Sequence, residues 1–435
     1  MKPKIGLVVS YAPLEVGWEK STAILAQAKL LLSSLPVEIV AVDTPVYDLK
    51  SGAAAADKFY HAQVDVVCWI AATWSFDHVP VDMLHTVNVP LIAWALPGVE
   101  TGSLCGSQQL VSVLTELSHP RHFVFGELSD ERAQSNMLSF AFAAAALGRL
   151  QKTRFGMLGH RTIGMMEVAF HEYDLLNTFG SLVVYLGVDN LLKMRDAIEY
   201  KAASPVWNTF KARVGKCNVS DTDGIRSIKT YLALKQFADE NNLSGIAAGC
   251  YPELMGEVCL ACGLLAEEGI VTSCEGDMNS LVLTYLMHNI GGDPLHNTDL
   301  LDLDASAGTG IFSHCGNSAV CLAGSPQDIT LDSVRLMGQG AVSLYPATPG
   351  RVTFANLCGN KGTYRVTYGV GEAVQTGMVF PGIPVKIKLP VTVESFLEKT
   401  AKFGTGHHWM IAYGDMSESL KYICEIKNIP SLEFI

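Results

Sequence analysis

The chain has 435 residues, 49% of them hydrophobic and 17% charged, and a formal net charge of −12. Such a composition marks a globular protein of two to four domains, and the negative charge argues against nucleic acid or an anionic membrane as the main partner. No run approaches the roughly 18 consecutive apolar residues that a membrane helix needs.

The N-terminal MKPKIGLVVSY places its apolar run too early for a signal peptide and lacks a small-residue cleavage site, so a cytoplasmic location is expected. In chain order, IGLVVSY, VEIVAVD, DVVCWIAA, PLIAWAL and HFVFGE are near-continuous apolar runs separated by helical stretches, and ERAQSNMLSFAFAAAALGRL follows the last of them. That pattern predicts a parallel sheet covered on both faces, a first doubly wound α/β domain over residues 1–150. TRFGMLG, SLVVYLGV, SGIAAGC and IVTSC repeat the scheme. They share the stretch with a helix carrying Ile225, Ile228 and Leu232, and predict a second doubly wound domain over residues 151–292. It ends with MNSLVLTYLMHNI, closed by Gly291 and Gly292. From 293 to 435 the character changes: RVTFANL, TYRVTYGVGEAV and PVKIKLPV alternate and are rich in Val and Thr, which predicts a mostly antiparallel β domain with a terminal helix, SESLKYICEIKNI.

Eleven cysteines in so long a chain do not form a disulfide framework; Cys68, Cys250, Cys321 and Cys424 read as buried free thiols inside apolar runs. The single CxxC, Cys259 to Cys262, lies in LMGEVCLACGLLAEE, which reads as a helix interior between Pro252 and Gly269. A thioredoxin-type motif should open a helix, and no second CxxC accompanies this one, so core packing is the expected role.

SGIAAGC and IVTSC form a strand–helix–strand unit, so their carboxyl ends point the same way, and adjacent strands lie about 5 Å apart. Glu253 and Asp277 then reach the same rim, where ligands of open α/β sheets bind. Each also has a plain structural reading: Glu253 in the first turn of a helix after Pro252, and Asp277 as the N-cap of the helix at Met278. A nitrogen donor is offered by His407 and His408 in GTGHHWM, although a Gly-flanked histidine pair equally describes a solvated turn. Two carboxylates and an imidazole suit Mn²⁺ or a similar divalent ion such as Co²⁺ or Mg²⁺.

The "PE" after one strand, the "CEGD" after the next, and a late "HH" followed by a helix ending in "IP" resemble the L-fucose isomerase and L-arabinose isomerase superfamily. The resemblance implies two flavodoxin- or Rossmann-like domains followed by a β-rich domain. It also implies Mn²⁺-dependent interconversion of an aldose and a ketose, and a homo-oligomer, trimer or hexamer, with active sites at subunit interfaces. Carried onto this chain, the metal ligands are Glu253, Asp277 and His407 or His408, with His408 favoured, and Glu275 supports Asp277. FSHCGNS is similar to a family element near the substrate, implying contacts from His314 and Asn317. TWSF is similar to a family turn, implying that Trp74 reaches a sugar bound to a neighbouring subunit, and HRTIGMME offers Arg161 at a ligand rim. In such a mechanism Glu253 and Asp277 act as both ligands and acid/base groups in proton transfer through an ene-diol, with a hydride shift as the competing chemistry.

A non-catalytic sugar-binding protein is the rival reading, since two α/β domains around a cleft also describe sugar receptors. A nucleotide-dependent enzyme lacks its motif, because the glycines at 156, 159 and 164 do not make GxGxxG and no phosphate loop is present. The sugar itself, neutral or anionic, is not legible.

Overall fold

A computed structural model describes residues 2–359 and 363–435. The chain divides into two compact units, residues 1–149 with 418–426, and residues 150–417 with 427–435.

Unit 1 alternates strand and helix: β1 (Lys4–Ser10), α1 (Ser21–Ser33), β2 (Glu38–Ala41), α2 (Leu49–Ala62), β3 (Val66–Ala71), α3 (His78–Val87), β4 (Leu91–Ala95), α4 (Ser103–Glu116), β5 (Arg121–Phe125) and α5 (Glu131–Leu150). All neighbours pair in parallel in the order β2-β1-β3-β4-β5, a doubly wound arrangement. Every residue of β3 and β4 is buried, which is why these strands are continuously apolar instead of alternating. Helix α2 starts at Asp48, whose carboxylate accepts from the Ser51 amide in a reciprocal capping box. The C-terminal helix Ser417–Lys427 completes this unit: the Tyr422 ring lies 4.6 Å from that of His122 and 5.4 Å from Phe140, and its hydroxyl donates to Asn136.

Unit 2 opens with β6 (Arg154–Leu158), α6 (Glu172–Phe179), β7 (Leu182–Leu186), α7 (Val188–Ala197), α8 (Tyr200–Lys211), β8 (Lys216–Cys217), α9 (Asp221–Asn241), β9 (Gly245–Ala248), α10 (Cys259–Glu267), β10 (Val271–Ser273) and α11 (Met278–Gly291). A second parallel sheet runs β10-β9-β6-β7. Ile225 and Ile228 of α9 are buried in its core, with Leu232 packed against it.

The chain continues as β11 (His296–Asp304), β12 (Thr309–Ser313), β13 (Thr330–Val334), β14 (Gln339–Leu344), β15 (Gly350–Cys358), β16 (Arg365–Val374), β17 (Val385–Lys388), α12 (Val393–Phe403), β18 (His408–Tyr413) and β19 (Ser431–Phe434). Strand β15 pairs with both β18 and β16, so the order β15-β18-β11-β12-β17-β16 closes on itself as an antiparallel barrel, to which β19 adds in parallel. Closure removes the exposed edges that an open sheet of this composition would present. The hairpin β13–β14 stays outside the barrel and extends β8, and its Leu331 and Ala341 join the core that contains α9 and α10.

Two expectations change here. The segment from Pro252 is not helical up to Cys259: residues 251–257 form turns, and α10 begins at Cys259. Gly256 has φ +87° and packs against the Gln339 carbonyl, where a Cβ would stand 2.6 Å away, so a right-handed helix cannot pass through it. Cys321 is exposed, in a short 3₁₀ turn, and not buried.

The barrel core centres on Phe354, fully buried with the rings of Phe312, Phe396 and Trp409 at 6.3, 6.3 and 5.8 Å. Phe354→Ala is expected to lower the unfolding free energy by about 3–5 kcal/mol. Phe354→Leu should cost clearly less, and urea unfolding of both variants would test the ordering.

Candidate functional site

The parallel pairing of β9 and β10 brings their carboxyl ends to one rim. The turn after β10 carries Glu275, Gly276 and Asp277. A Cβ on Gly276, which has φ +68°, would stand 2.6 Å from the Arg161 Cα, so only glycine fits, and Glu275 itself adopts φ +61°. The Thr162 amide donates to the Glu275 carbonyl at 2.9 Å, pinning the loop after β6 onto this turn.

Asp277 is the helix cap expected of it and also touches the histidine pair. Its carboxylate caps α11, accepting from the Ser280 amide at 3.0 Å and the Ser280 hydroxyl at 2.5 Å, and also lies 2.7 Å from His408 Nδ1. The other ring nitrogen, Nε2, lies 2.9 Å from Glu275 Oε2. Barrel register supplies the remaining groups. His408 opens β18 and stands opposite Asp299 on β11, and Asp299 stands opposite Ser313 on β12, which places His314 next in line. Donor atoms of Glu275, His314 and His408 all lie within 4.8 Å of one another, and so do those of Asp299, His407 and His408.

With a carboxylate on each ring nitrogen, His408 is satisfied in the protonated form. Burial works to lower its pKa, yet the hydrogen bonds to Asp277 and Glu275 outweigh it and hold the imidazolium up to about 10. Burial likewise acts to raise the Glu275 carboxyl, but the hydrogen bond from His408 and the charge of His314 bring it below its ordinary value. One oxygen of this group is uncommitted: Asp299 Oδ1 is buried without a hydrogen bond, 3.6 Å from His408 Nε2.

The first histidine of the pair is held separately. Glu167 Oε1 accepts from the His407 amide at 2.9 Å and lies 2.9 Å from His407 Nδ1, and the two histidine rings are 4.1 Å apart. Neither Glu167 nor Asp299 has a sequence signal: one lies in a single 3₁₀ turn, Met166–Val168, and the other is an acid in the acid-rich strand HNTDLLDLD whose place depends on three-strand register.

The other candidates are placed as follows. Glu253 is exposed, on the turn between β9 and α10, and does not join the hydrogen-bonded group. Asn317 is buried, donating to Cys274 Sγ at 2.9 Å, with its Oδ1 unpaired. Arg161 is half-buried; its Nη1 donates to the carbonyls of Thr162 and Met165, while Nε and Nη2 have no partner among the described residues. Trp74 belongs to unit 1, where its indole donates to Gln109 at 2.9 Å.

No family model matches the chain. The chain is similar to the sulfoquinovose isomerase of Priestia aryabhattai, 22% identical over 385 residues that cover 86% of each protein. It is also similar to that of Alkalicoccus urumqiensis, 23% identical over 358 residues, 80% of this chain and 81% of the other. These are homologues at low identity. Among solved structures, a periplasmic solute-binding protein from Actinobacillus succinogenes with bound D-allose covers 67% of this chain and 93% of its own at 11% identity, with a TM-score of 0.19, too slight a likeness to bear on function.

The Glu167–His407 pair yields a pH signature. The hydrogen bond from His407, with the imidazole charge, lowers the Glu167 carboxyl from an ordinary 4.5 to about 2. The stability it contributes is present above pH 4.5 and is lost as the pH falls towards 2. Over that window the stability of Glu167→Gln should fall less steeply than that of the natural protein, measured by urea unfolding at stepped pH.

Proposed function

We propose that the protein is a divalent-metal-dependent aldose–ketose isomerase acting on a sulfonated sugar, with the ion held by Glu275, His314 and His408. The carrying observation is the three-donor group at a parallel-sheet rim, in a chain similar over 86% of its length to proteins named sulfoquinovose isomerase. The donor set fits an ion. Two imidazoles and a carboxylate converge, and a buried Asp299 oxygen beside them accepts no hydrogen bond, as suits a site built for a cation. Mn²⁺ suits this mixture of oxygen and nitrogen donors, with Co²⁺ or Mg²⁺ as substitutes.

What a divalent ion supplies at such a place is polarisation of the sugar carbonyl and stabilisation of the charge that develops as the neighbouring carbon loses its proton. The chain's own groups do the rest. Asp277 fixes the His408 ring through Nδ1, so that Nε2, in its deprotonated form, would be the nitrogen to hold a cation. Asp277 is itself fixed by two bonds to Ser280 at the start of α11, so the ring orientation is inherited from a helix cap. Asn317, in the same loop as His314, is the residue proposed to orient a hydroxyl through its unpaired Oδ1. Glu253, exposed on the turn after β9, is the carboxylate left uncommitted, and it carries the proton between C2 and C1 through an ene-diol. Arg161 supplies the positive charge for the sulfonate. Its Nε and Nη2 edge, two parallel donors, is the edge that pairs with an anion bidentately, and Nη1 is already fixed by backbone carbonyls.

The assignments separate experimentally. Glu275→Gln and His408→Ala should abolish both Mn²⁺ binding by calorimetry and turnover of sulfoquinovose. Glu253→Gln should keep Mn²⁺ affinity and lose about 10²–10⁴-fold in kcat. Full activity in Glu253→Gln would remove Glu253 from the mechanism, and product formed in D₂O without deuterium at C1 would replace the ene-diol by a hydride shift. For Arg161→Ala, KM for the sulfonated sugar should rise at least tenfold while that for a neutral aldose stays unchanged; an equal rise for both would refute the sulfonate role.

A further inference from the structure

The CxxC has both of its cysteines buried in the core, where they have thiol neighbours. Its first cysteine opens α10, and thiols from four separate segments meet beside the site. Cys274 lies beside the thiols of Cys250, Cys262 and Cys315. Cys259 is in contact with Cys315, and both belong to one small apolar cluster with Met255, Val334 and Val342. All of these cysteines are free thiols; Cys259 and Cys274 are buried, and Cys315 alone of the three is partly accessible. Cys315 follows His314 directly, and its sulfur lies 3.2 Å from His314 Nδ1.

We propose that Cys315 and Cys259 form an oxidative modification site, a reversible disulfide written by peroxide, that couples thiol redox state to the His314 side of the donor group. The chemistry balances in two steps. The Cys315 sulfur displaces water from hydrogen peroxide to become the sulfenic acid, and the Cys259 thiol then attacks that sulfur, forming the S–S bond and releasing a second water. Two thiols are oxidised and one peroxide is reduced to two waters. A small dithiol reverses the bond by exchange. Cys259 is the resolving thiol because Cys274 is already engaged by Asn317, Cys250 and Cys262. The consequence for the site rests on the metal reading above: drawing Cys315 towards α10 displaces its neighbour His314 from Glu275 and His408.

The test is peptide mapping of the full chain after graded hydrogen peroxide, without reductant. No lysine or arginine lies between Lys235 and Arg335, so digestion must use a glutamyl endopeptidase, which separates Cys259 and Cys262 from Cys274 and Cys315. The expected product links the 258–267 peptide to the one containing Cys315. It should persist in Cys262→Ala and be absent in Cys259→Ala, where Cys315 instead proceeds to the sulfinic acid. Exposed Cys105 and Cys321 serve as internal standards of oxidant strength. The proposal is overturned if Cys315 remains a free thiol when both standards are oxidised, or if it is found linked to Cys274. In parallel, the oxidised protein should bind Co²⁺ at least tenfold more weakly by calorimetry and recover with dithiothreitol; equal affinity in both states would refute the coupling. If the reduced protein binds no Co²⁺, the metal reading fails while the disulfide map still stands or falls on its own.

Discussion

Unit 2 depends on one buried imidazole held between two carboxylates. His408 has 3% of its side chain exposed, with Asp277 on one ring nitrogen and Glu275 on the other. A charged ring at that depth is costly to desolvate, and only the two carboxylates, close and well aligned, offset the cost. The contact therefore sets geometry more than it adds net stability. It ties the first residue of β18 in the barrel to the turn after β10 in the parallel sheet, so the barrel end and the sheet rim are registered to each other within hydrogen-bond tolerance.

Helix capping and chemistry coincide at this point for a physical reason. The N-terminus of α11 offers unsatisfied amides and a positive dipole end, both of which favour an ionised Asp277. The same carboxylate then has a second oxygen lone pair free to orient His408. A side chain already immobilised by its cap loses little further entropy in positioning a ligand. A structural role for Asp277 as a cap therefore does not compete with a role in positioning His408.

The strands were legible because burial on both faces writes a continuous apolar run, as in β3 and β4, and the two parallel sheets follow from that pattern alone. Barrel closure was not legible, since nothing local in β15 shows that it pairs on both sides, with β16 and β18. Helix α3 escaped notice because HVPVDMLHTV carries Pro80 and β-branched residues that blur a helical period, although a proline in the first turn is compatible with a helix. At the site, Asp277 and His408 were visible as a cap and a pair. Glu275 was visible only as support, because its direct bond to His408 depends on a left-handed backbone that Gly276 permits. Asp299 needed the β11–β18 register to be seen at all. The CxxC is buried, as core packing requires, but the helix boundary moved: α10 starts at Cys259 and not near Pro252, and Cys259 in its first turn packs beside Cys315.

Charge arithmetic links the site to the substrate. Four carboxylates, Glu167, Glu275, Asp277 and Asp299, surround His314, His407 and His408. A metal would require its ligating imidazoles to be neutral, so binding at the proposed site would be coupled to proton loss from His408, which its two carboxylates otherwise hold protonated. A divalent ion then balances half of the four negative charges, and the group stays anionic. An anionic sugar can approach such a group only with its uncharged carbonyl end inward and its acidic end held away by a separate cation. Arg161, its Nη1 anchored by backbone carbonyls and its Cα packed against Gly276, is the guanidinium proposed for that purpose. On the proposed reading, the same excess of negative charge that would attract a metal would also dictate which end of the substrate faces it.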